Sequence, residues 1–480
     1  MLYTIVRIVV YILGLIGTTF IIPLLTCIFC KEYSVIPAFL IPMISSWALV
    51  LIFVLTGKNK KTTLNIRSSF LVVFFAWIFA SLFGALPFLI SGAIPDFTNA
   101  FFESVSGFTT TGATILSDIE SLPRSINLWR CQTHWLGGMG IVVLTVALLP
   151  LLGIGGFQLI KAETTGPEKG KLTPKITTTA KVLWFIYFAF TVIETVALMI
   201  AGMDFIDALS HSFSTLGTGG FSTRNNSIAS FNSPAIETIC SVFMTFAAIN
   251  FSMYYLVFKR KWNEIFSNTE LKTFFGMLLF AVLAVTLIEL KSYGSFFSSL
   301  RYAYFQVISI FSTTGFSSCD YTNWKPAAQV IIFALFFIGG CSGSTSGGFK
   351  VVRWSILFKQ MQNEVKKMLH PHGLFSIRLN KAVGRQDIVF SGAAFVFIYF
   401  FIIIITTFLT SLSGLDLMTS FSGAVSMVGN VGPGFNLLGP SYNCGFLAPF
   451  VKWWYCIVMI AGRLELYTVF IFLSREYWKK

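Results

Sequence analysis

One short stretch, written four times, constrains this chain more than any other feature. Residues 99–114 read N-A-F-F-E-S-V-S-G-F-T-T-T-G-A-T, and 207–222 read D-A-L-S-H-S-F-S-T-L-G-T-G-G-F-S. Residues 302–317 read Y-A-Y-F-Q-V-I-S-I-F-S-T-T-G-F-S, and a more divergent copy at 419–434 reads T-S-F-S-G-A-V-S-M-V-G-N-V-G-P-G. Aligned without a gap, Gly112, Gly220, Gly315 and Gly432 share a column, as do Ser106, Ser214, Ser309 and Ser426. Two places before each glycine stand Thr110, Thr218, Thr313 and Asn430. The glycines lie 108, 95 and 117 residues apart, and a period of that kind sets the architecture before any local reading does.

With 55% hydrophobic and only 11% charged residues, the chain is far below the charge of a soluble domain and reads as a polytopic membrane protein. The net charge of +14 follows topology rather than nucleic acid. With the N-terminus inside, Arg7 and the segments 57–67, 153–181, 259–272, 350–385 and 475–480 hold 25 of the 34 Lys and Arg, so both termini are expected to be cytoplasmic. Eight cysteines give no framework: Cys27 and Cys30 form a lone C-x-x-C at the end of an apolar span. Cys319 and Cys444 fall on one side, and their pairing is left open.

Residues 5–30 and 36–56 are long enough to span a bilayer and form a hairpin without the glycine motif. Each repeat then predicts a span, a half-length helix and a returning span. These are 70–90, 97–108 and 126–152; 176–202, 204–217 and 236–258; 271–290, 296–312 and 327–358; and 389–412, 415–429 and 446–474. The expectation is all-α: ten transmembrane helices and four tandem helix–re-entrant loop–helix repeats around a pseudo-fourfold pore. The boundaries are 1–60 for the hairpin and 61–160, 161–265, 266–385 and 386–480 for the repeats. A half-helix of twelve residues rises about 18 Å and cannot cross the hydrocarbon. Its return as extended backbone is tolerated only where protein or a water-filled cavity surrounds it. The polar segments 162–175 and 359–387 read as solvated loops, or as a docking surface for a cytosolic partner.

Four such loops meeting on one axis can ring a pore with carbonyl oxygens that replace an ion's hydration shell. The candidate ring is Thr110, Thr111 and Gly112; Thr218, Gly219 and Gly220; Thr313, Thr314 and Gly315; and Asn430, Val431 and Gly432. A ring without carboxylates suits a weakly hydrated monovalent cation better than magnesium. Four copies in register argue against mere helix packing by small residues. Eleven acids on the outer side, Glu103 among them, face eight bases there and would enrich cations modestly. Asp204 and Asp207 are expected N-caps of the second half-helix.

Two departures lie below the ring. The third unit's last span is interrupted by G-G-C-S-G-S-T-S-G-G (339–348), which cannot sustain a buried helix when glycine costs about 1 kcal/mol per site. Gly339, Gly340, Gly343, Ser344, Thr345, Gly347 and Gly348 are therefore gate candidates, with a simple hinge as the alternative. Arg463, inside the last apolar run, is either a barrier facing the conduit or the partner of Glu465 or Glu194. Lys350 and Arg353 read as snorkelling or topological. The four histidines, His134, His211, His370 and His372, form no nucleophile–base–acid grouping, so an enzyme is not expected. All repeats re-enter from one side, which favours a gated pathway over an inverted-repeat alternating-access carrier.

These residues resemble the superfamily of potassium transporters that includes the Trk, Ktr and plant HKT proteins, and most of all its bacterial Trk-type subunit. The likeness rests on S-G-F-T-T-T-G-A-T (106–114), H-W-L-G-G-M-G-I-V-V-L (134–144) and S-H-S-F-S-T-L-G-T-G-G-F-S-T (210–223). It also rests on S-T-T-G-F (312–316), C-S-G-S-T-S-G-G-F-K-V-V-R (341–353), G-N-V-G-P-G (429–434) and G-R-L-E-L (462–466). The resemblance implies a homodimer in the bacterial inner membrane, one pore per subunit, and potassium import without an organic cofactor. It also implies a cytosolic nucleotide-binding regulatory subunit of the TrkA type. In this family the interrupted helix is the gate and the arginine of G-R-L-E the constriction, roles that carry to 339–348 and Arg463. The second copy reads T-G-G and the fourth N-V-G, so selectivity against sodium stays open, as does coupling to protons or sodium.

Overall fold

The structure, a computed structural model, describes residues 2–56, 66–140, 176–373, 375–380, 382–383 and 386–479. Apart from a two-residue antiparallel hairpin pairing Arg378–Leu379 with Ala382–Val383, all regular structure among them is helical. Among the described residues, six helices are long and apolar enough to cross a membrane: Tyr3–Phe29, Tyr33–Thr56, Arg67–Ile90, Thr178–Ile200, Thr269–Tyr293 and Val389–Ser411. Phe185, Phe280, Phe390, Phe397 and Ile404 are exposed on them, an apolar exterior that only lipid or another apolar surface covers favourably.

Three of the remaining expected spans differ from straight helices. Residues 236–258 form two helices, Pro234–Ala248 and Phe251–Phe258, bent by 92°. At the break Ile249 is extended, and the Asn250 side chain accepts Ser252 N–H at 2.8 Å, starting a new helix where the sequence pattern predicted continuity. Residues 327–358 divide into Pro326–Leu335 and Val351–Leu369 around the glycine–serine stretch. In residues 446–474 the long helix stops at Arg463, because Glu465 and Leu466 both take positive φ, and only the short turns Tyr467–Phe470 and Ile471–Leu473 follow. The tenth, 126–152, begins as Arg124–Gly138, and its residues beyond Gly140 lie outside those described, as does the loop 162–175. The polar segment expected as a loop at 359–387 continues the helix to Leu369, with Lys366 and Lys367 in its last turn.

The half-helices are Phe97–Phe108, Phe205–Gly217, Phe296–Phe311 and Leu417–Gly429. Asp96, Asp204 and Asp416 cap three of them, accepting N–H bonds from Asn99, Ile206 and Thr419. Asp207 does not cap; it accepts from the Thr223 hydroxyl and pairs with Arg224 at 2.8 Å. Each half-helix packs against the span before it. The helix returning from one unit also packs against the next half-helix: Arg124–Gly138 on Phe205–Gly217, and Pro234–Ala248 on Phe296–Phe311. Phe333 meets Phe421 at 5.8 Å between ring centroids, and Pro449–Arg463 returns to Phe97–Phe108. The contacts therefore run in a closed circle.

Candidate functional site: a ring of glycine turns over an interrupted helix

All four half-helices end in the same backbone device. The N–H groups of Thr111, Gly219, Thr314 and Val431 donate to the carbonyls of Ser106, Ser214, Ser309 and Ser426 at 2.8–2.9 Å. This is the six-to-one bond of a Schellman cap, and the residue it encloses must be left-handed. That position is usually glycine, yet here it holds Thr110, Thr218, Thr313 and Asn430, with φ of 54°, 54°, 58° and 53°. A β-branched residue in this region is an outlier costing of order 1–3 kcal/mol, and three in one column mark a site where strain is maintained.

The glycine two residues later also has positive φ: 80° at Gly112, 82° at Gly220, 80° at Gly315 and 100° at Gly432. A Cβ on Gly112 would overlap Gly219 O, and one on Gly220 would overlap Thr314 O. On Gly315 it would overlap Val431 O, and on Gly432 it would overlap Thr111 O. Each glycine thus admits the carbonyl of a neighbouring copy, and the fourth returns to the first. The oxygens are those of one alignment column, so the twelve expected ring residues come together. Thr110 Oγ and Asn430 Oδ1 are buried without a hydrogen-bond partner among the described residues, and buried orphan oxygens call for a water or a cation.

Above the ring lies a cavity of about 120 Å³ with all four glycines in its wall. Arg130, Arg224 and loop hydroxyls and amides line it, with no carboxylate among the lining residues. Most of the acids expected on the outer side serve the scaffold instead. Glu103 is fully buried and pairs with Arg130 at 2.7 Å; Arg124 pairs with Asp204; and Glu237 faces Arg301 at 3.2 Å. Asn225 donates to Asp118 at 3.1 Å, holding that loop carboxyl below its ordinary range and therefore ionised at neutral pH.

A bracing column, nine residues before each glycine, was not singled out from the sequence. Glu103 accepts from Thr114 Oγ and from Ile115 N–H at 3.0 Å. His211 Nε2 meets Ser222 Oγ at 2.8 Å, and Gln306 donates to Cys319 O at 2.8 Å. These groups tie each half-helix to the strand leaving the ring. The fourth copy has Gly423 in this column, and the adjacent Ser422 Oγ accepts Phe435 N–H at 2.9 Å. Residue type varies down the column, so only its spacing could have revealed it. His134 braces two copies at once: Phe221 N–H donates to its Nε2 at 3.2 Å, so Nδ1 carries the proton given to Gly107 O at 2.8 Å.

Below the ring, residues 339–348 fold back on themselves. Gly347 N–H donates to Thr313 Oγ at 2.7 Å, and a Cβ on Gly347 would lie 2.8 Å from Asn430 Cβ. Cys341 N–H bonds to Ala248 O at 2.8 Å and Phe251 N–H to Gly343 O at 3.1 Å. The loop thereby fills the bend in the second unit, which explains why that bend exists. Arg463 approaches the same loop, giving hydrogen bonds to Thr345 O at 2.8 Å, Gly137 O at 2.7 Å and Gly138 O at 2.9 Å. Glu465 instead pairs with Arg353 at 2.6 Å, and Arg353 lies 3.9 Å over the Phe395 ring. Lys350 is buried and donates to Ser346 O. Both cations are buried and paired instead of snorkelling, Lys350 by a carbonyl of the interrupting loop and Arg353 by the Glu465 carboxylate of the fourth unit. All eight cysteines are free thiols, Cys319 and Cys444 included.

Apolar spans around strained half-helix turns that gather carbonyl oxygens define a membrane transport protein. More narrowly, the chain belongs to the TrkH cation transport protein family, whose model matches residues 36–480. It is 39% identical to the Trk system potassium uptake protein TrkH of Halomonas elongata over 89% of each chain. It shares 39% with the protein of that name from Escherichia coli K12 over 88% of each. The crystal structure of the potassium transporter TrkH from Vibrio parahaemolyticus covers 100% of both chains with a TM-score of 0.86 at 33% identity. These relatives are named for transport, not for catalysis.

Proposed function

We propose that this chain is the conducting subunit of a Trk-type potassium uptake system, with one pseudo-fourfold pore formed by its four repeats. The observation that carries the reading is the circle of four carbonyls from one column, each admitted by a glycine of the neighbouring copy. A dehydrated cation entering from the cavity would exchange water for those oxygens. Thr110 Oγ and Asn430 Oδ1 would add uncharged ligands at the inner end.

Residues 339–348 then act as the gate, and Arg463 as a positive barrier that also pins the gate shut. Conduction requires the loop to leave Thr313 and the guanidinium to leave Thr345 O. Ten spans, a homodimer in a bacterial inner membrane with cytoplasmic termini, and control by a cytosolic TrkA-type subunit complete the proposal. Their support is the family membership and the basic segments of the sequence. Rubidium uptake in cells lacking their own potassium uptake systems tests it. Expression with the matching regulatory subunit should restore uptake, and absence of flux from protein that reaches the membrane would overturn the function.

A further inference from the structure

Glu270 opens the long helix Thr269–Tyr293 and is buried, although no repeat motif includes it. One carboxylate oxygen, Oε1, accepts Ser342 N–H at 2.7 Å and Val352 N–H at 3.1 Å. Those donors stand on opposite sides of the central glycine–serine turn, so a single oxygen ties both limbs of the loop to one rigid helix. Of the loop's other bonds, those to Ala247 O, Ala248 O and Thr313 Oγ join uncharged groups, and Arg463 gives a charge-assisted bond to Thr345 O. The neighbouring residue links this helix to the basic face. Asn380 Oδ1 accepts Thr269 N–H at 2.8 Å, and Asn380 N–H returns a bond to Thr269 Oγ at 3.3 Å. Asn380 forms the turn of the hairpin that pairs Arg378–Leu379 with Ala382–Val383.

We propose that Glu270 is a positioning residue that latches the interrupting loop beneath the ring, and that displacing the 378–383 hairpin releases it through Thr269. The inference rests on the reading of 339–348 as the gate. Withdrawing the carboxylate strands two buried N–H donors at once, so the loop loses both anchors in one step. A cytosolic partner needs only to move the hairpin, not to reach into the membrane.

The test is rubidium flux into liposomes containing the purified full-length chain without a partner. E270A should raise basal flux about tenfold, while E270Q, which keeps an acceptor oxygen of similar reach, should stay within about twofold of the natural chain. N380A should raise flux less than E270A. Deletion of 341–347 is the reference, since it removes the loop whatever holds it, and E270A should add nothing in that background. If the deletion raises flux but E270A and N380A do not, the latch is wrong and the gate survives. If the deletion leaves flux unchanged, the gate reading fails and the latch with it. A further rise from E270A in the deletion background overturns the latch, and if E270A does not fold, unchanged flux in N380A does so.

Discussion

Gly315→Ala adds one methyl group at the ring, and its consequences separate into two parts. Gly315 has φ of 80°, so any L-residue there bears roughly 1–2 kcal/mol of left-handed backbone cost. The new Cβ would also overlap Val431 O and approach Pro433 Cδ to 2.9 Å. Restoring ordinary contact requires a movement on the order of 0.5–1 Å. Gly294→Ala is the control, because Gly294 has φ of 68° with nothing within 4 Å of its would-be Cβ. Both variants should lose similar stability, but only G315A should displace one of four equivalent carbonyls. The expected result is a fall of about tenfold in potassium-over-sodium preference, equivalent to about 1.4 kcal/mol. Sodium competition against rubidium uptake, normalised to folded protein, measures it. If G315A destabilises like G294A yet keeps its preference, the ring does not select the ion.

Arg463→Ala removes the bonds to Thr345 O, Gly137 O and Gly138 O and should raise basal rubidium flux several-fold; unchanged flux would remove the barrier from the account. Glu103→Ala leaves Arg130 buried and unpaired, at about 3–5 kcal/mol, and should lower the unfolding midpoint in detergent sharply. The double variant E103L/R130M should recover much of that loss if desolvation is the cause. Asp416 caps the fourth half-helix, and the Thr419 hydroxyl and N–H hold its carboxyl below the ordinary value. Its stabilisation is therefore present above the ordinary carboxylate range and lost as pH falls through the lowered value. D416A should cost about 1 kcal/mol at neutral pH, and melting curves of the two proteins should converge in acid.

The ring and the interrupted helix were legible because each needs a residue type that leaves a mark: glycine where a carbonyl intrudes, and glycine with serine where a helix must stop. The half-helix limits followed from the apolar runs; of the acids that cap them, only Asp204 was expected to, and Asp96 and Asp416 do so as well. What stayed hidden depends on partners distant in the chain. The sequence 236–258 reads as one predominantly apolar span, and only the loop from the third unit, bonded to Ala247, Ala248 and Phe251, makes a bend there favourable. Lys350 and Arg353 looked like interface cations because the carbonyl of Ser346 and the carboxylate of Glu465 reach them only after folding. The left-handed threonines run against their own preference, and the glycines that propensity picks out stand two columns later.

Central to the account is a potassium-selective path through one chain. Its most direct test is rubidium flux into liposomes holding the purified chain with residues 341–347 deleted, challenged with potassium or sodium outside. The account predicts rapid flux that excess potassium suppresses and equal sodium leaves largely intact. Absence of flux, or equal suppression by both ions, would contradict it.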